Sequence, residues 1–193
     1  MAQKHHAYFE EGNFYHIYNR ANSNKEKLFI QDKNYQYFLS QFDGYLGGYL
    51  EVWAYCLIPN HFHFLVRVKG LGGDVNKKLT EQFRKFFISY TQAINKQELR
   101  RGSLFQKSFK RILVDSDEYI SALIHYIHFN PIYHKLVDNI DQWEYSSYQS
   151  LLSDRPTKLY RNEVIEWFGG KKELERFHLE DKEYQRISGQ IFE

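Results

Sequence analysis

The sequence predicts an α+β protein in which strands and helices alternate in the order β-α-β-β-α-β before one further helix. Short runs rich in aromatic and β-branched residues alternate with longer runs whose apolar side chains recur every three or four positions. The dipeptides Gly47-Gly48 and Pro59-Asn60, which favour turns, separate some of these runs. The 193 residues are 42% hydrophobic and 26% charged, a length and a balance that suit one folded domain with an extension.

The first half of the chain predicts a strand, a helix and a hairpin. Aromatic and β-branched residues fill the first run, and apolar side chains at helical spacing follow until Gly47 and Gly48. Only Pro59 and Asn60 separate the next two strand-like runs, which predicts a tight turn between them. The predicted elements are residues 14–20 (strand), 32–46 (helix), 49–58 (strand) and 61–69 (strand).

A long amphipathic helix and a fourth strand complete the predicted sheet. Asp74 is a suitable N-cap for the helix, and the strand is predicted over residues 110–114. The six elements match the ferredoxin-like βαββαβ pattern, with its helices on one face of the sheet and the other face left available. This fold hosts many functions and does not decide among them. The apolar stripe of the helix consists of Val75, Leu79, Phe83, Phe87, Tyr90 and Ile94.

The helix after the fourth strand has both a start and a stop signal. Ser116 is a good N-cap, and the two acids that follow it interact favourably with the helix dipole. Pro131 disfavours the helical conformation at Asn130. We therefore predict a helix over residues 117–129.

The single cysteine and the hydropathy of the sequence indicate the cellular compartment. Cys56 is the single cysteine of the sequence, which excludes an intrachain disulfide and a zinc-thiolate cluster and favours a reducing interior. The first ten residues contain no apolar signal-peptide core, and no stretch approaches membrane-spanning length. We expect a cytoplasmic protein without a membrane partner.

The strand over residues 61–69 has the most informative side chains. Because side chains alternate between the faces of a strand, one face is apolar and suits the core. The other face places two imidazoles about 6.6 Å apart along the strand, a spacing from which both could reach one metal ion. An ordinary amphipathic strand would give the same spacing, so the pair alone leaves both interpretations open. This second face consists of His61, His63, Leu65, Arg67 and Lys69.

The end of the last predicted helix offers two further polar groups. Tyr126 and Asn130 are four residues apart and therefore share one helix face. Asn130 has a carbonyl oxygen, which is a suitable ligand for magnesium or manganese, and Tyr126 has a phenol oxygen. A partly buried tyrosine beside a C-terminal helix asparagine is the alternative interpretation.

Residues 55–65 (YCLIPNHFHFL) resemble the His-hydrophobe-His motif of HUH endonucleases. The resemblance is closer to the single-tyrosine transposases, and among them to the REP-associated tyrosine transposase branch. It covers roughly residues 13–152, and it implies a catalytic domain over residues 1–152. The apolar residues of the tail at helical spacing predict a helical extension over residues 153–193 that packs on this domain. Four other stretches agree with this branch in the same order, namely residues 15–20, 104–109, 126–131 and 143–148.

The resemblance implies a reaction and a set of roles. Tyr126 would be the nucleophile that cuts and rejoins single-stranded or hairpin DNA through a covalent 5′-phosphotyrosine. His61, His63 and Asn130 would bind Mg²⁺ or Mn²⁺. Many transposases of this wider type carry glutamine at the position of Asn130, whose side chain is one methylene shorter. Relatives include monomers and homodimers, so either state is compatible with the resemblance.

Candidate DNA contacts come from the local distribution of charge, since the net charge is only +2. Residues 96–111 contain six basic residues against the single acid Glu98, a distribution that suits a phosphate backbone. For each candidate, a solvated surface position is the alternative. The candidates are Asn19, Arg20, Arg67, Lys69, Arg101, Lys107, Lys110 and Arg111.

Three other functions fit parts of the same sequence. A descendant that binds DNA without cutting it would retain the basic residues. A metal-dependent hydrolase would retain the histidine pair but use water in place of Tyr126. A structural domain with an accidental histidine pair would have no metal-dependent activity on DNA.

Overall fold

Four strands form one antiparallel sheet in the order β2-β3-β1-β4 in the computed structural model, which describes residues 6–23, 26–70 and 72–179. The predicted succession of strands and helices is confirmed. The elements are β1 (Phe14–Arg20), α1 (Asp32–Leu46), β2 (Leu50–Ile58), β3 (His61–Val68), α2 (Val75–Gln97), β4 (Lys110–Val114), α3 (Asp117–Tyr133), α4 (Tyr148–Leu152), α5 (Arg161–Trp167) and α6 (Lys171–Leu179).

Helix α2 has the predicted N-cap and a slightly different buried face. Asp74 accepts a hydrogen bond from the backbone N–H of Lys77 at 2.9 Å. Phe86 is fully buried, whereas Phe87, which we predicted on the buried stripe, is only partly buried. At about 100° of rotation per residue, Phe86 lies nearer than Phe87 to the centre of the stripe.

One face of the sheet packs on helices α1 and α2 through aromatic side chains. The ring of Phe64 from β3 stacks on Phe42 from α1 with centroids 4.2 Å apart. Most of the aromatic residues therefore supply core area, where a ring buries more apolar surface than any aliphatic side chain. The fully buried aromatic rings of this core include Tyr15, Phe38, Phe62, Phe64, Phe83, Phe86 and Tyr90.

The other face of the sheet is covered as well, so the prediction that it would be left available was wrong. Helix α3 packs there, because its apolar stripe and the apolar side chains of β2 and β3 are buried against each other. Helices α5 and α6 add Val164 and Leu174 to this second core. Residues 1–5 of the predicted domain and residues 180–193 of the predicted extension lie outside the described residues. The buried side chains of this core include Cys56, Ile58, Leu65, Ile120, Leu123, Ile124 and Ile127.

Helix α3 continues through Pro131 to Tyr133, so the predicted end at residue 129 was wrong. A proline inside a helix removes one backbone hydrogen bond, and close to the C-terminus few further bonds depend on it. The last turn is closed beyond the proline, since the backbone N–H of His134 donates to the carbonyl of Asn130 at 3.1 Å.

Short backbone pairings cover both outer strands of the sheet. Beside β2, the N–H of Leu57 donates to the carbonyl of Tyr145 at 3.0 Å, and the N–H of Ser147 donates to that of Tyr55 at 2.9 Å. Beside β4, the N–H of Ala7 donates to the carbonyl of Arg111 at 3.1 Å. Within the described part of the chain, every helix is too short or too polar to span a lipid bilayer.

Candidate active site between strand β3 and helix α3

The two histidines of β3 point towards α3 and lie side by side. Strand alternation is confirmed, because Phe62 between them is buried on the opposite face. The rings of His61 and His63 are perpendicular, with centroids 5.1 Å apart. Across the sheet, β1 places Arg20 opposite His61 and Tyr18 opposite His63.

Helix α3 brings Asn130 and Tyr126 to this histidine pair. The Oδ1 atom of Asn130 lies 3.1 Å from Nε2 of His61. The ring of Tyr126 meets that of His63 edge-on, with centroids 5.3 Å apart and planes at 86°. Tyr126 is 2% exposed and Asn130 fully buried. The four residues selected from the sequence therefore form one cluster.

Two histidines that we did not select from the sequence complete the cluster. The fully buried His16 of β1 has its Nε2 atom 2.9 Å from Nδ1 of His63. His134 follows α3, and its ring centroid is 4.6 Å from that of His61. Strand alternation already puts His16 on the face of Tyr18. No such signal existed for His134, because the predicted helix ended before it.

Burial keeps the imidazoles of the cluster neutral at pH 7. It lowers the pKa of His16 to about 3. Burial lowers the pKa of His61 to about 3 as well, reinforced by His134 and opposed by the hydrogen bond with Asn130. The pKa of His63 is held well below its ordinary value by burial and then by the neighbouring histidines. A neutral imidazole offers a lone pair, which is the form that binds metal ions.

The hydrogen bonds of His61 leave one lone pair facing another. Its Nδ1 lies 2.9 Å from Oδ1 of Asn60, and its Nε2 lies 3.1 Å from Oδ1 of Asn130. A neutral imidazole has a single N–H, so one ring nitrogen faces an amide oxygen without a proton between them. The Nδ2 group of Asn130 is meanwhile buried and has no hydrogen-bond partner among the described residues. A cation beside Nε2 and Oδ1 resolves this conflict, as does a 180° rotation of the Asn130 amide.

The donor set fits a divalent metal with mixed nitrogen and oxygen ligands. Within the ranges that the structure describes, no three His, Cys, Asp or Glu side chains are arranged to hold a metal ion. The amide oxygen of Asn130 is the donor that stands beside the two imidazoles. The carbonyl oxygen suits Mg²⁺ or Mn²⁺, and the imidazole nitrogens suit a transition-metal ion.

Three of the predicted DNA contacts line one groove on the other side of the sheet. Asn19, Lys107 and Arg111 border a groove of about 530 Å³. Helix α2 contributes a further cation, Arg84, that sequence reasoning did not select. Aromatic and polar side chains complete the lining, including Thr80, Phe87, Phe105 and Phe109.

Arg111 is a half-buried cation without a carboxylate partner among the described residues. Its guanidinium carbon lies 5.0 Å from the ring centroid of Phe9 and 5.7 Å from that of Phe109. Its Nη1 donates to Oγ1 of Thr80 at 3.1 Å, while its Nε is buried without a hydrogen-bond partner. Burial lowers the pKa of Arg111. A half-buried guanidinium with an unused donor suits a phosphate oxygen.

Three other predicted contacts are open to solvent or near the histidine cluster. Arg20 is exposed and lies opposite His61. Lys110 lies opposite Tyr18 on the same face. Arg101 is exposed in the segment after α2.

The last two predicted contacts lie at the far end of β3 from the histidines and are engaged with other groups. Arg67 has its Nη1 atom 3.7 Å from Glu51, and its Nε donates to the carbonyl of Gly12 at 3.1 Å. The Nζ atom of Lys69 donates to the carbonyl of Gly47 at 2.7 Å. The structure therefore does not bring these two cations to the cluster or to the groove.

His125 and His128 of α3 lie on other faces of the helix than Tyr126. The ring of His125 stacks on Phe129 with centroids 4.1 Å apart. His128 is fully buried beside His178 of α6, with ring centroids 4.9 Å apart.

A chain of hydrogen bonds through His128 has one consistent arrangement of protons. The N–H of Tyr55 donates to Oγ of Ser147 at 2.9 Å, and that hydroxyl donates to Nε2 of His128 at 2.8 Å. Nδ1–H of His128 donates to Nε2 of His178 at 2.7 Å. Nδ1–H of His178 donates to the carbonyl of Leu174 at 2.8 Å. Both imidazoles are neutral, because burial lowers the pKa of His128 well below its ordinary value and that of His178 to about 3.

Comparison with known proteins confirms the resemblance inferred from the motifs. No family model matches the chain. A curated protein of Haemophilus influenzae, assigned to the REP-associated tyrosine transposases, is 24% identical over 140 residues, which cover 63% of this chain and 76% of that protein. A solved REP-associated tyrosine transposase bound to a REP hairpin superposes with a TM-score of 0.65 at 17% identity, over 81% of this chain and 89% of that one. At this identity, the structural similarity establishes the fold alone.

Proposed function

We propose that this protein is a divalent-metal-dependent tyrosine transposase that cleaves and rejoins single-stranded or hairpin DNA. The proposal rests on the position of Tyr126 and Asn130 of α3 against His61 and His63 of β3. A nucleophile and a set of neutral metal donors thereby meet in one buried cluster. The curated relative supports the reaction class. The solved relative, which is bound to a REP hairpin, supports hairpin DNA as the partner.

The same proposal includes the architecture. The sheet order β2-β3-β1-β4, with α1 and α2 packed together, supports the assignment to the ferredoxin-like class. We assign the catalytic domain to residues 1–152 and the extension to residues 153–193. The burial of Val164 and Leu174 against the core of α3 supports an extension that packs on the domain.

His61, His63 and Asn130 would hold Mg²⁺ or Mn²⁺. When bound, the ion would neutralise charge on a non-bridging phosphate oxygen and orient the scissile phosphate. The neutral imidazoles suit this role, since binding of the ion then requires no net loss of a proton.

Tyr126 would attack the scissile phosphorus. The bond between its Oη and phosphorus forms as the bond between phosphorus and the 3′ oxygen breaks. The phenol proton passes to water, and the leaving 3′ oxygen takes up a proton to become a hydroxyl. The 5′-phosphotyrosine retains the energy of the phosphodiester, so a 3′-hydroxyl of a second strand can reverse the step without ATP.

DNA would contact the predicted cations that have no carboxylate partner among the described residues. Arg20 and Lys110 lie on the same face as the histidine cluster, where they can contact the phosphates next to the scissile one. The groove at Arg111 lies on the other face of β4 and suits a single strand, because a basic groove with aromatic walls tracks an unpaired backbone.

The decisive experiment tests for a covalent protein–DNA adduct. The protein is incubated with labelled hairpin DNA carrying single-stranded flanks and with Mg²⁺ or Mn²⁺, and the products are separated under denaturing conditions. We expect a labelled adduct that is abolished by chelator, by Tyr126→Phe and by the double variant His61→Ala/His63→Ala. Tyr119→Phe, two turns earlier on the same helix, is the matched control and should leave the adduct intact.

Other outcomes would replace the proposal. Cleavage that survives Tyr126→Phe and gives no adduct would identify a metal-dependent hydrolase. Specific hairpin binding without cleavage, across varied hairpins and both metals, would identify a DNA-binding protein derived from a transposase.

A further inference from the structure

His16 and His63 form a buried imidazole pair across strands β1 and β3. Nε2 of His16 lies 2.9 Å from Nδ1 of His63, and the rings are 5.1 Å apart at 19°. His16 is fully buried and His63 is 5% exposed. The sheet register creates this contact, because His16 lies opposite Leu65 and is therefore the diagonal neighbour of His63.

Two neutral imidazoles in this contact share one proton, which can be held in two ways. If His16 donates Nε2–H, Nδ1 of His63 is the acceptor and the ring proton of His63 is on Nε2. If His63 donates Nδ1–H, its Nε2 has a free lone pair. Nδ1 of His63 is occupied in both cases, so Nε2 is the nitrogen left for a metal ion.

We propose that His16 is a positioning residue, which accepts the Nδ1–H of His63 and so holds His63 in the tautomer whose Nε2 can bind a divalent cation. The inference rests on the proposed function, since it assigns His63 to the same metal site. Metal-binding histidines commonly have such a partner on their second ring nitrogen, usually a carboxylate or a carbonyl. Here a second imidazole takes that place.

The surrounding rings prevent His16 and His63 from turning to other partners. Tyr18 stacks on both, with centroids 4.6 Å from His16 and 5.5 Å from His63. Tyr126 meets both edge-on, at 6.4 Å and 5.3 Å. With both rings held in place, the tautomer of His63 depends on which ring of the pair carries the shared proton.

The environment of His16 does not itself choose between the two tautomers. When His16 accepts at Nε2, its own proton is on Nδ1, and when it donates, Nδ1 carries a lone pair. Among the described residues, Nδ1 has no hydrogen-bond partner in either case, so both tautomers carry a cost of the same kind. The bond between the cation and Nε2 of His63 would favour the tautomer in which His16 accepts, so tautomer and metal occupancy are coupled.

The Mn²⁺ affinity of the DNA-free protein, measured by electron paramagnetic resonance or calorimetry, shows whether His16 positions His63 or only fills space in the core. His16→Phe keeps the ring volume but has no acceptor, and we expect about 10- to 100-fold weaker binding. His16→Gln offers an amide oxygen to Nδ1–H of His63, and we expect an affinity close to that of the wild type. Thermal unfolding of each metal-free variant checks the fold. Equal affinities in all three proteins, or an equal loss in both variants, would overturn the inference.

Nitrogen-15 NMR of the histidine rings gives a second readout that needs no activity. In protein saturated with Mg²⁺, we expect the proton of His63 on Nδ1; a proton on Nε2 would overturn the inference. A protein that passes both tests but forms no DNA adduct would retain the role of His16 and lose the proposed function. If the adduct forms and needs metal, but His16→Phe binds Mn²⁺ as tightly as the wild type does, the proposed function is retained and the role of His16 is lost. Failure of the wild type to bind Mn²⁺ would overturn both.

Discussion

Helix α3 lies between two buried histidine clusters that differ in whether their polar atoms are satisfied. In the cluster of His128, Ser147 and His178, each hydrogen bond has one donor and one acceptor, and the last donor, Nδ1–H of His178, bonds to a backbone carbonyl. In the cluster of His16, His61, His63 and Asn130, two buried atoms, Nδ1 of His16 and Nδ2 of Asn130, have no hydrogen-bond partner within the part of the chain that the structure describes. The first cluster contains two imidazoles and the second contains three, and burial lowers the pKa values in both.

This difference separates a structural network from a functional one. A fully satisfied buried network stabilises one arrangement of the chain, here the docking of α6 on α3. Unsatisfied buried groups are rare in native proteins, and a missing ion or substrate is one of the few explanations for them. The satisfaction of their polar atoms therefore distinguishes the two clusters.

The largest expected effect is a dissociation of activity from stability between the clusters. His63→Ala should reduce the rate of adduct formation by about a thousandfold, because metal assistance contributes several kcal/mol to such reactions. Its unfolding free energy should fall by less than that of His128→Ala, because one hydrogen-bond partner, His16, is left unsatisfied instead of two. His128→Ala should instead lower the unfolding free energy by about 3 kcal/mol, since it leaves a cavity and two unsatisfied partners.

Adduct assays below the melting temperature and chemical denaturation of the same preparations measure both quantities. The comparison fails if folded His128→Ala is as inactive as His63→Ala, or if both variants lose similar stability.

The second effect is a dependence of stability on pH, to which the buried histidines of both clusters contribute and which a change of His178 tests in the satisfied cluster. His178 has an unfolded pKa near 6.5 and a folded pKa lowered to about 3. The unfolded chain thus binds the proton more readily. The stabilisation is complete above about pH 6.5 and is lost progressively as the pH falls towards 3, by about 1.4 kcal/mol per pH unit. His178→Phe should reduce the slope of unfolding free energy against pH by one proton between pH 6 and 4.5. An unchanged slope would contradict the assignment of His178 as a buried neutral histidine.

The smallest expected effect is on the salt dependence of DNA binding, and it compares an arginine that has an unused donor with one that is engaged by a carboxylate. Arg111 has an unused donor in its groove, whereas Arg67 is engaged by Glu51. In a Tyr126→Phe background, Arg111→Gln should reduce the slope of log affinity for single-stranded DNA against log salt by about 0.7, the contribution of one phosphate. Arg67→Gln is the matched control and should leave the slope unchanged. Fluorescence anisotropy across a salt series measures this, and equal slopes in all three proteins would remove the groove from the DNA path.

Local signals were sufficient to predict the strands and helices and much of the candidate site. The apolar period gave the bounds of α1, and the alternation of β3 put both histidines on one face. The spacing of Tyr126 and Asn130 gave their shared helix face, and the family resemblance gave their pairing with the histidines.

Contacts between distant segments could not be predicted in this way. His16 meets His63 only because of the register between β1 and β3, and His178 reaches His128 from fifty residues further along the chain. A sequence also does not distinguish a cation with a carboxylate partner, such as Arg67, from one without. Pro131 misled the prediction because the rule for proline ignores how few hydrogen bonds remain at the end of a helix.

The short pairings on the outer strands of the sheet have a consequence for self-association. Exposed outer strands are templates onto which another chain can add a strand. Here the segment around Tyr145 and Ser147 already uses backbone groups of β2, and Ala7 uses the carbonyl of Arg111 on β4. A second copy that extended the sheet would have to displace these segments first. A dimer of this protein would thus form more readily through helical surfaces than through a continuous sheet.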